Sequence, residues 1–357
     1  MHERASERSG ARCALWHGLA GSIVSVVCVL LASISKSHNA LEALSMKILC
    51  LGAGATGGYF CGRLVEAGAA HVTFLVREGR KAQLERDGLV IESQLGNARL
   101  QVEVVTADSL PRDGWDFVIL TCKAYDLDSA LDAIAPAVGP NTAVLPLLNG
   151  LSHIERLNAR FGRERVLGGM AAIHIGMQPD GTLKHLNDWH FTKFGEQSGE
   201  MSARVLALKS AFDACSAVKA EAVPDIMQKM WEKLVFLSTL AGMTCLMRAN
   251  LGEIVRADGG ARLLSQMLER NALIAARSGY HMPETVIASY RAIISDPEND
   301  FTASMLRDIE RKGPVEADHI VGFMLERARS FGIEDTLHTI AYVHLKAYEE
   351  RRKAGRL

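Results

Sequence analysis

Met46-Lys47-Ile48-Leu49-Cys50-Leu51-Gly52-Ala53-Gly54-Ala55-Thr56-Gly57 is the stretch on which the fold turns. The apolar run from Lys47 to Gly52 lacks polar alternation and reads as a strand buried on both faces, as parallel sheets require. Gly57–Glu66 then has helical spacing and is ended by Ala67-Gly68. Glycines at Gly52, Gly54 and Gly57, set between a strand and a helix, form a dinucleotide-binding turn. They allow a tight bend, a close approach of backbone to pyrophosphate, and close helix–strand packing. Gly52, Gly54, Ala55, Thr56 and Gly57 are therefore the candidate phosphate cradle, where free helix N–H groups and the helix dipole favour an anion. The alternative is a glycine-rich turn with no ligand.

Outward from this turn, short apolar runs alternate with helical stretches. His71–Arg77 reads as the second strand, and Leu89–Thr106 as a hairpin or strand pair inserted before the next parallel strand, Trp115–Cys122. Asp126 is placed to cap a helix running to Ala137, and Thr142–Leu148 returns as a strand. Val166–Met177 and Leu183–Gly195 flank a Pro179-Asp180-Gly181 turn. Met201–Ser216 is helical and Val218–Val223 extended. Beyond Pro224 strand signals nearly vanish, and Asp225–Met247, Gly259–Ser278, Pro283–Ile294, Ala317–Ser330 and Asp335–Arg351 read as helices. The expected fold class is α/β, an N-terminal Rossmann-type doubly wound sheet (46–223) with an all-helical C-terminal domain (224–357).

With 40 Lys+Arg against 41 Asp+Glu, the 357-residue chain has no field for nucleic acid, so small molecules or other subunits are the expected partners. Its seven cysteines form no CxxC pair and mostly sit in apolar runs, which points to buried thiols, a reducing compartment and no metal site. Residues 1–45 stand apart. His17–Ser35 is uncharged and largely apolar behind Arg4, Arg8 and Arg12, like a signal sequence or short membrane span. The favoured reading is an N-terminal extension from a start placed too far upstream, because Met46 opens a complete domain by itself, and a cytoplasmic protein with no membrane association is expected.

Two positions carry the chemistry. The second strand ends in Arg77, whose guanidinium suits the 2′-phosphate of NADPH, although Glu78 leaves a reading for NAD. Lys233 enters the apolar stretch of the first C-terminal helix. A buried lysine there would have a lowered pKa and serve as a proton donor or Schiff-base former; the other reading is a lysine that snorkels to the surface.

Several separated motifs together resemble the ketopantoate reductase family, over nearly all of Met46 to about Lys346. They are the glycine turn, Leu120-Thr121-Cys122-Lys123-Ala124, Leu148-Asn149-Gly150, Lys233-Leu234, Gly252-Glu253-Ile254, Ser304-Met305-Leu306-Arg307-Asp308-Ile309 and Glu316-x-Asp318-x-Ile320-x-Gly322. The resemblance implies NADPH-dependent reduction of a 2-oxo acid, with ketopantoate to pantoate, a step of pantothenate biosynthesis, as the named reaction. It makes Lys233 the general acid and Glu316 its acidic partner, placed to bind a substrate hydroxyl. Asn149 would hold the nicotinamide end and the reacting group, Lys123 would line the cleft with the cofactor, and Ser304 would bind the substrate carboxylate. A homodimer built through the helical domain is a further implication.

The chain departs from the family where asparagines are expected, carrying Leu237, Ala241, Leu251 and Phe301 instead. Leu237 and Ala241, one and two turns beyond Lys233, are expected to line the substrate cleft. A substrate hydroxyl left unpaired there costs about 1–3 kcal/mol, so a less polar 2-oxo acid or ketone is the alternative substrate, with Asn250 as a neighbouring substitute for the missing amide. A non-catalytic NADPH-binding sensor is the other class of reading.

Overall fold

The computed structural model describes residues 46–357. The readings made for 1–45 lie outside the described residues. The first sheet holds β1 (Lys47–Leu51), β2 (His71–Leu75), β5 (Glu103–Val105), β6 (Phe117–Leu120) and β7 (Ala143–Pro146), all parallel, in the order β5-β2-β1-β6-β7. The chain winds outward from β1 in both directions, so β1 and β6 flank a crevice at their carboxyl ends, where ligands of such sheets bind. Helices α1 (Ala55–Glu66), α2 (Glu78–Asp87) and α3 (Leu127–Ile134) lie in its crossovers.

A second sheet backs the first. The long hairpin of β8 (Leu167–Met177) and β9 (Leu183–Glu196) is joined by β10 (Lys219–Ala222) and by the hairpin β3 (Leu89–Glu92) and β4 (Ala98–Leu100). The Leu89–Thr106 run thus splits: its hairpin feeds the second sheet, and only β5 joins the parallel one. Side chains of α1, both sheets and α5 (Ala203–Asp213) make one core, including Tyr59, Phe60, Leu89, Leu183, Phe194 and Phe212.

The C-terminal half is helical. α6 (Ile226–Met247) runs through its middle, surrounded by α7 (Leu251–Arg256), α8 (Gly260–Arg277), α9 (Glu284–Ser295), α10 (Ser304–Glu310), α11 (Phe323–Ser330) and α12 (Thr336–Lys353). Its apolar residues are buried nearly all round, as expected of a spine rather than a surface helix. Leu151 and Ile154 of the first half, at the start of α4 (Ser152–Phe161), and Met170 of β8 pack into this helical core. The two halves are therefore joined beside the end of β7 and the middle of β8.

Local details differ from the sequence expectations. α1 starts two residues early, at Ala55. Asp126 makes no cap to α3 and faces Arg77 instead, at 3.4 Å. A π turn over Asp318–Gly322 leads into α11, where a single α-helix from Ala317 was expected. Among the described residues no helix is long and apolar enough to cross a membrane.

Candidate active site

The glycine turn is shaped by two opposite demands. A Cβ at Gly57 would collide with the Gly52 carbonyl oxygen and with Thr121 Oγ1, so the protein itself needs that glycine. A Cβ at Gly54 would meet nothing within 4 Å. The opening at Gly54 is what a phosphate group approaching the backbone requires. Gly54 precedes α1 without any side-chain cap, leaving the first amides of Ala55 and Thr56 for such a ligand. Thr121, at the end of β6, donates to the Leu51 carbonyl at 2.9 Å and so ties the two strand ends across the crevice. Arg80 donates to the Ala53 carbonyl through Nη2 at 2.8 Å and Nε at 3.2 Å, clamping the turn from α2. Arg77 stands beside them with its side chain 84% exposed, and among the described residues its polar contact is Asp126.

Lys233 does not snorkel. It lies inside α6 and its ammonium points back across the domain joint, donating to Asn149 Oδ1 at 3.0 Å and to the Ala171 carbonyl of β8 at 2.7 Å. Burial pulls its pKa down to about 8, against a smaller upward pull from the Glu316 carboxylate. An ammonium has three N–H groups, and two of them are taken. The lysine lines a cleft of about 400 Å³ that Asn149 and Ser304 also line. Asn149 caps no helix: Leu151 precedes α4, and the asparagine amide faces Lys233.

Other candidates are placed differently. Glu316, 4% exposed, accepts from the Ala124 amide at 3.0 Å and faces Lys123 Nζ at 3.5 Å. Lys123 also pairs with Asp308 at 3.1 Å, so these three charges lock the end of β6 to the helical half. Burial would lower the Lys123 pKa, but Glu316 and Asp308 outweigh it and the pKa is raised. Glu316 pulls the Lys233 pKa upward through space, as an acidic partner would, while neither Glu316 nor Lys123 lines the cleft around Lys233, where the resemblance placed Lys123.

Leu237 lines the cleft as expected, whereas Ala241 does not: it is wholly buried in the helical core. Leu251 is buried likewise, and Asn250 cannot stand in for the missing amide because its Oδ1 accepts from the Glu253 amide at 2.8 Å as a helix cap. Ser304 lines the cleft as the first residue of α10 and makes no capping bond. Phe301 lines it too, edge-on to Trp189 at 5.4 Å and parallel to Phe236 at 6.4 Å between ring centroids. Trp189, Phe236, Tyr290 and Arg307 are cleft residues to which the sequence reading gives no role.

Comparison with known proteins decides the ancestry. Residues 48–199 match the family model "Ketopantoate reductase PanE/ApbA", and 225–349 match its C-terminal companion. The chain belongs to the ketopantoate reductase family. Its similarity to the Bacillus subtilis protein "Uncharacterized oxidoreductase YkpB" is 35% identity over 86% of this chain and 100% of that protein. The 2-dehydropantoate 2-reductase of Mesorhizobium japonicum is 31% identical over 80% of this chain and 92% of its own length. Among solved structures, a ketopantoate reductase of the PanE/ApbA family from Ralstonia eutropha shares the fold with TM-score 0.77 and 24% identity, covering 86% of this chain and 100% of that one. D-mandelate dehydrogenase, solved as a ternary complex with NADH and anilino(oxo)acetate, shares it with TM-score 0.76 and 21% identity over 86% and 100% of the two chains. This member of the ketopantoate reductase family is thus an oxidoreductase of the 2-oxo acid reductase type.

Proposed function

We propose that the protein reduces a 2-oxo acid to the 2-hydroxy acid with NADPH, with Lys233 as general acid. The observation that carries this is the Lys233 ammonium, held by two acceptors at the cleft with one N–H left over and a pKa near 8. A nicotinamide bound with its phosphates at the glycine turn would supply the hydride to the keto carbon. The chain's own groups do the rest. Lys233 donates to the keto oxygen and polarises it, then transfers its proton as negative charge grows there, a contribution of about 10²–10⁴-fold. Asn149 fixes the direction of that donor, and solvent reprotonates the amine after turnover. A lysine with pKa near 8 is still mainly charged at neutral pH and gives its proton more readily than an exposed lysine.

NADPH rather than NADH is supported by Arg77, an exposed guanidinium just past the end of β2 where a 2′-phosphate would lie. Ketopantoate is the substrate the family name implies. A less polar 2-oxo acid is the second reading, favoured by the apolar wall of Leu237, Phe236 and Phe301 around the cleft. The test is oxidation of NADPH and NADH followed by absorbance with ketopantoate and a panel of aliphatic and aromatic 2-oxo acids. Arg77→Ala is expected to raise KM for NADPH by about tenfold or more and to leave KM for NADH nearly unchanged. Equal use of both cofactors by the wild type would overturn the NADPH assignment, and no oxidation with any 2-oxo acid would favour a non-catalytic sensor.

A further inference from the structure

Four cations line the cleft, and their partners sort them. Lys193 is bound by Glu221, with Nζ at 2.5 Å from the carboxylate. Lys229 is held by Glu232 at 3.1 Å, and Lys233 gives two of its three N–H groups to Asn149 and Ala171 and keeps one for the keto oxygen. Arg307 touches only neutral oxygens, the Thr302 carbonyl at 3.3 Å and hydroxyl at 3.4 Å, both through Nη1. Among the described residues no carboxylate lies within ion-pair distance of it. A guanidinium has five N–H donors in a planar fork that matches a carboxylate, and partial burial strengthens such a pair. Burial lowers the pKa of neighbouring His174, with Arg307 adding to the effect, so His174 is neutral at pH 7 and leaves Arg307 as the fixed charge.

Five aromatic residues line the cleft, beside the aliphatic Met170, Ile173, Leu237 and Leu240 and the polar Asn149, Thr302 and Ser304. Phe301 meets Trp189 edge-on and lies parallel to Phe236, whose ring centroid is 4.9 Å from that of Tyr290. The Tyr290 hydroxyl donates to the Glu232 carbonyl at 3.1 Å, so it is spent on the protein and the ring is what the wall presents. Such a wall offers stacking and edge contacts to another ring. Phe301 and Arg307 lie on either side of Ser304 in one short segment, which sets the aromatic wall and the free guanidinium around the carboxylate-binding serine implied above.

We propose that the cleft takes a 2-oxo acid bearing an aromatic side chain, its carboxylate paired with Arg307 and its ring against Trp189, Phe236 and Phe301. This rests on the 2-oxo acid reading and names the substrate class within it. Arg307 is then a specificity-determining residue.

Binding of phenylglyoxylate, its methyl ester and pyruvate to protein loaded with NADP+, in which no reduction can occur, is the direct test by calorimetry. The acid is expected to bind at least about tenfold more tightly than either its ester or pyruvate. Arg307→Met should weaken the acid by about tenfold or more and leave the ester unchanged, with NADP+ affinity and the melting temperature retained. Phe301→Ala should weaken phenylglyoxylate and not pyruvate. Equal affinity for phenylglyoxylate and pyruvate, no binding of the acid, or an Arg307→Met protein that binds it like the wild type would each overturn the proposal. Turnover with NADPH is a separate readout. Arg307-dependent binding without turnover keeps this inference and removes the reductase reading, whereas turnover of aliphatic 2-oxo acids without dependence on Arg307 does the reverse.

Discussion

Raising the pH removes the proton that Lys233 has to give, and the structure sets where this happens. With a pKa of about 8 in place of 10.5, the protonated fraction is roughly nine-tenths at pH 7, half at pH 8 and one-tenth at pH 9. Hydride transfer to a 2-oxo acid should therefore show a kcat/KM that is level below pH 7 and falls about tenfold per unit above pH 8.5, while the substrate carboxylate stays ionised throughout. Glu316 pulls the Lys233 pKa upward through space, so Glu316→Gln should move the limb to lower pH. The assay is absorbance of the reduced nicotinamide over pH 6–10, with cofactor saturating at each pH. A profile that stays flat to pH 10, or a limb that Glu316→Gln moves upward, would refute the reasoning.

Two other predictions concern the fold. Gly54 opens onto free space and Gly57 onto backbone, so Gly54→Val should melt like the wild type yet bind NADPH at least about tenfold more weakly, while Gly57→Val should lower the melting temperature itself. Equal melting of the two variants would contradict this. His338 is fully buried in the helical core, in a chain through Asn271 (2.8 Å) to Thr239 (3.0 Å) on the helix that carries Lys233. Burial first, and Arg270 second, push its pKa down to about 4 from 6.5. The unfolded chain thus binds a proton below pH 6.5 that the folded protein refuses until about pH 4, and stability falls as pH drops through that window. The loss is about 3 kcal/mol from this group, so denaturant midpoints should decline from pH 7 to 4.5, less steeply in His338→Gln.

The glycine turn, the strands around it and the helical second half were legible because each rests on local pattern: a continuous apolar strand, three spaced glycines, then helical periodicity. α2 lacked such a signal, since Leu84 is the one buried residue on a helix of mostly charged side chains. α4 did carry one, with His153, Ile154, Leu157 and Phe161 spaced on a single face. Lys233 and Asn149 lie 84 positions apart and were paired through the family resemblance, whereas the Ala171 carbonyl is a backbone acceptor that no residue type marks. Ala241 was placed by the family resemblance and by helix phase, and neither tells which neighbouring helix closes over a side chain; the helical core covers it completely. Arg307 stood inside a motif already noted, but its lack of a carboxylate partner is a fact of three dimensions.

The most direct test of the central claim compares wild-type and Lys233→Met protein in single turnovers of NADPH with a 2-oxo acid the wild type reduces, alongside a fluorescence titration of NADPH binding. The account predicts a rate lower by about 10²–10⁴-fold with NADPH affinity nearly unchanged. A variant that reduces the 2-oxo acid at close to the wild-type rate would contradict it.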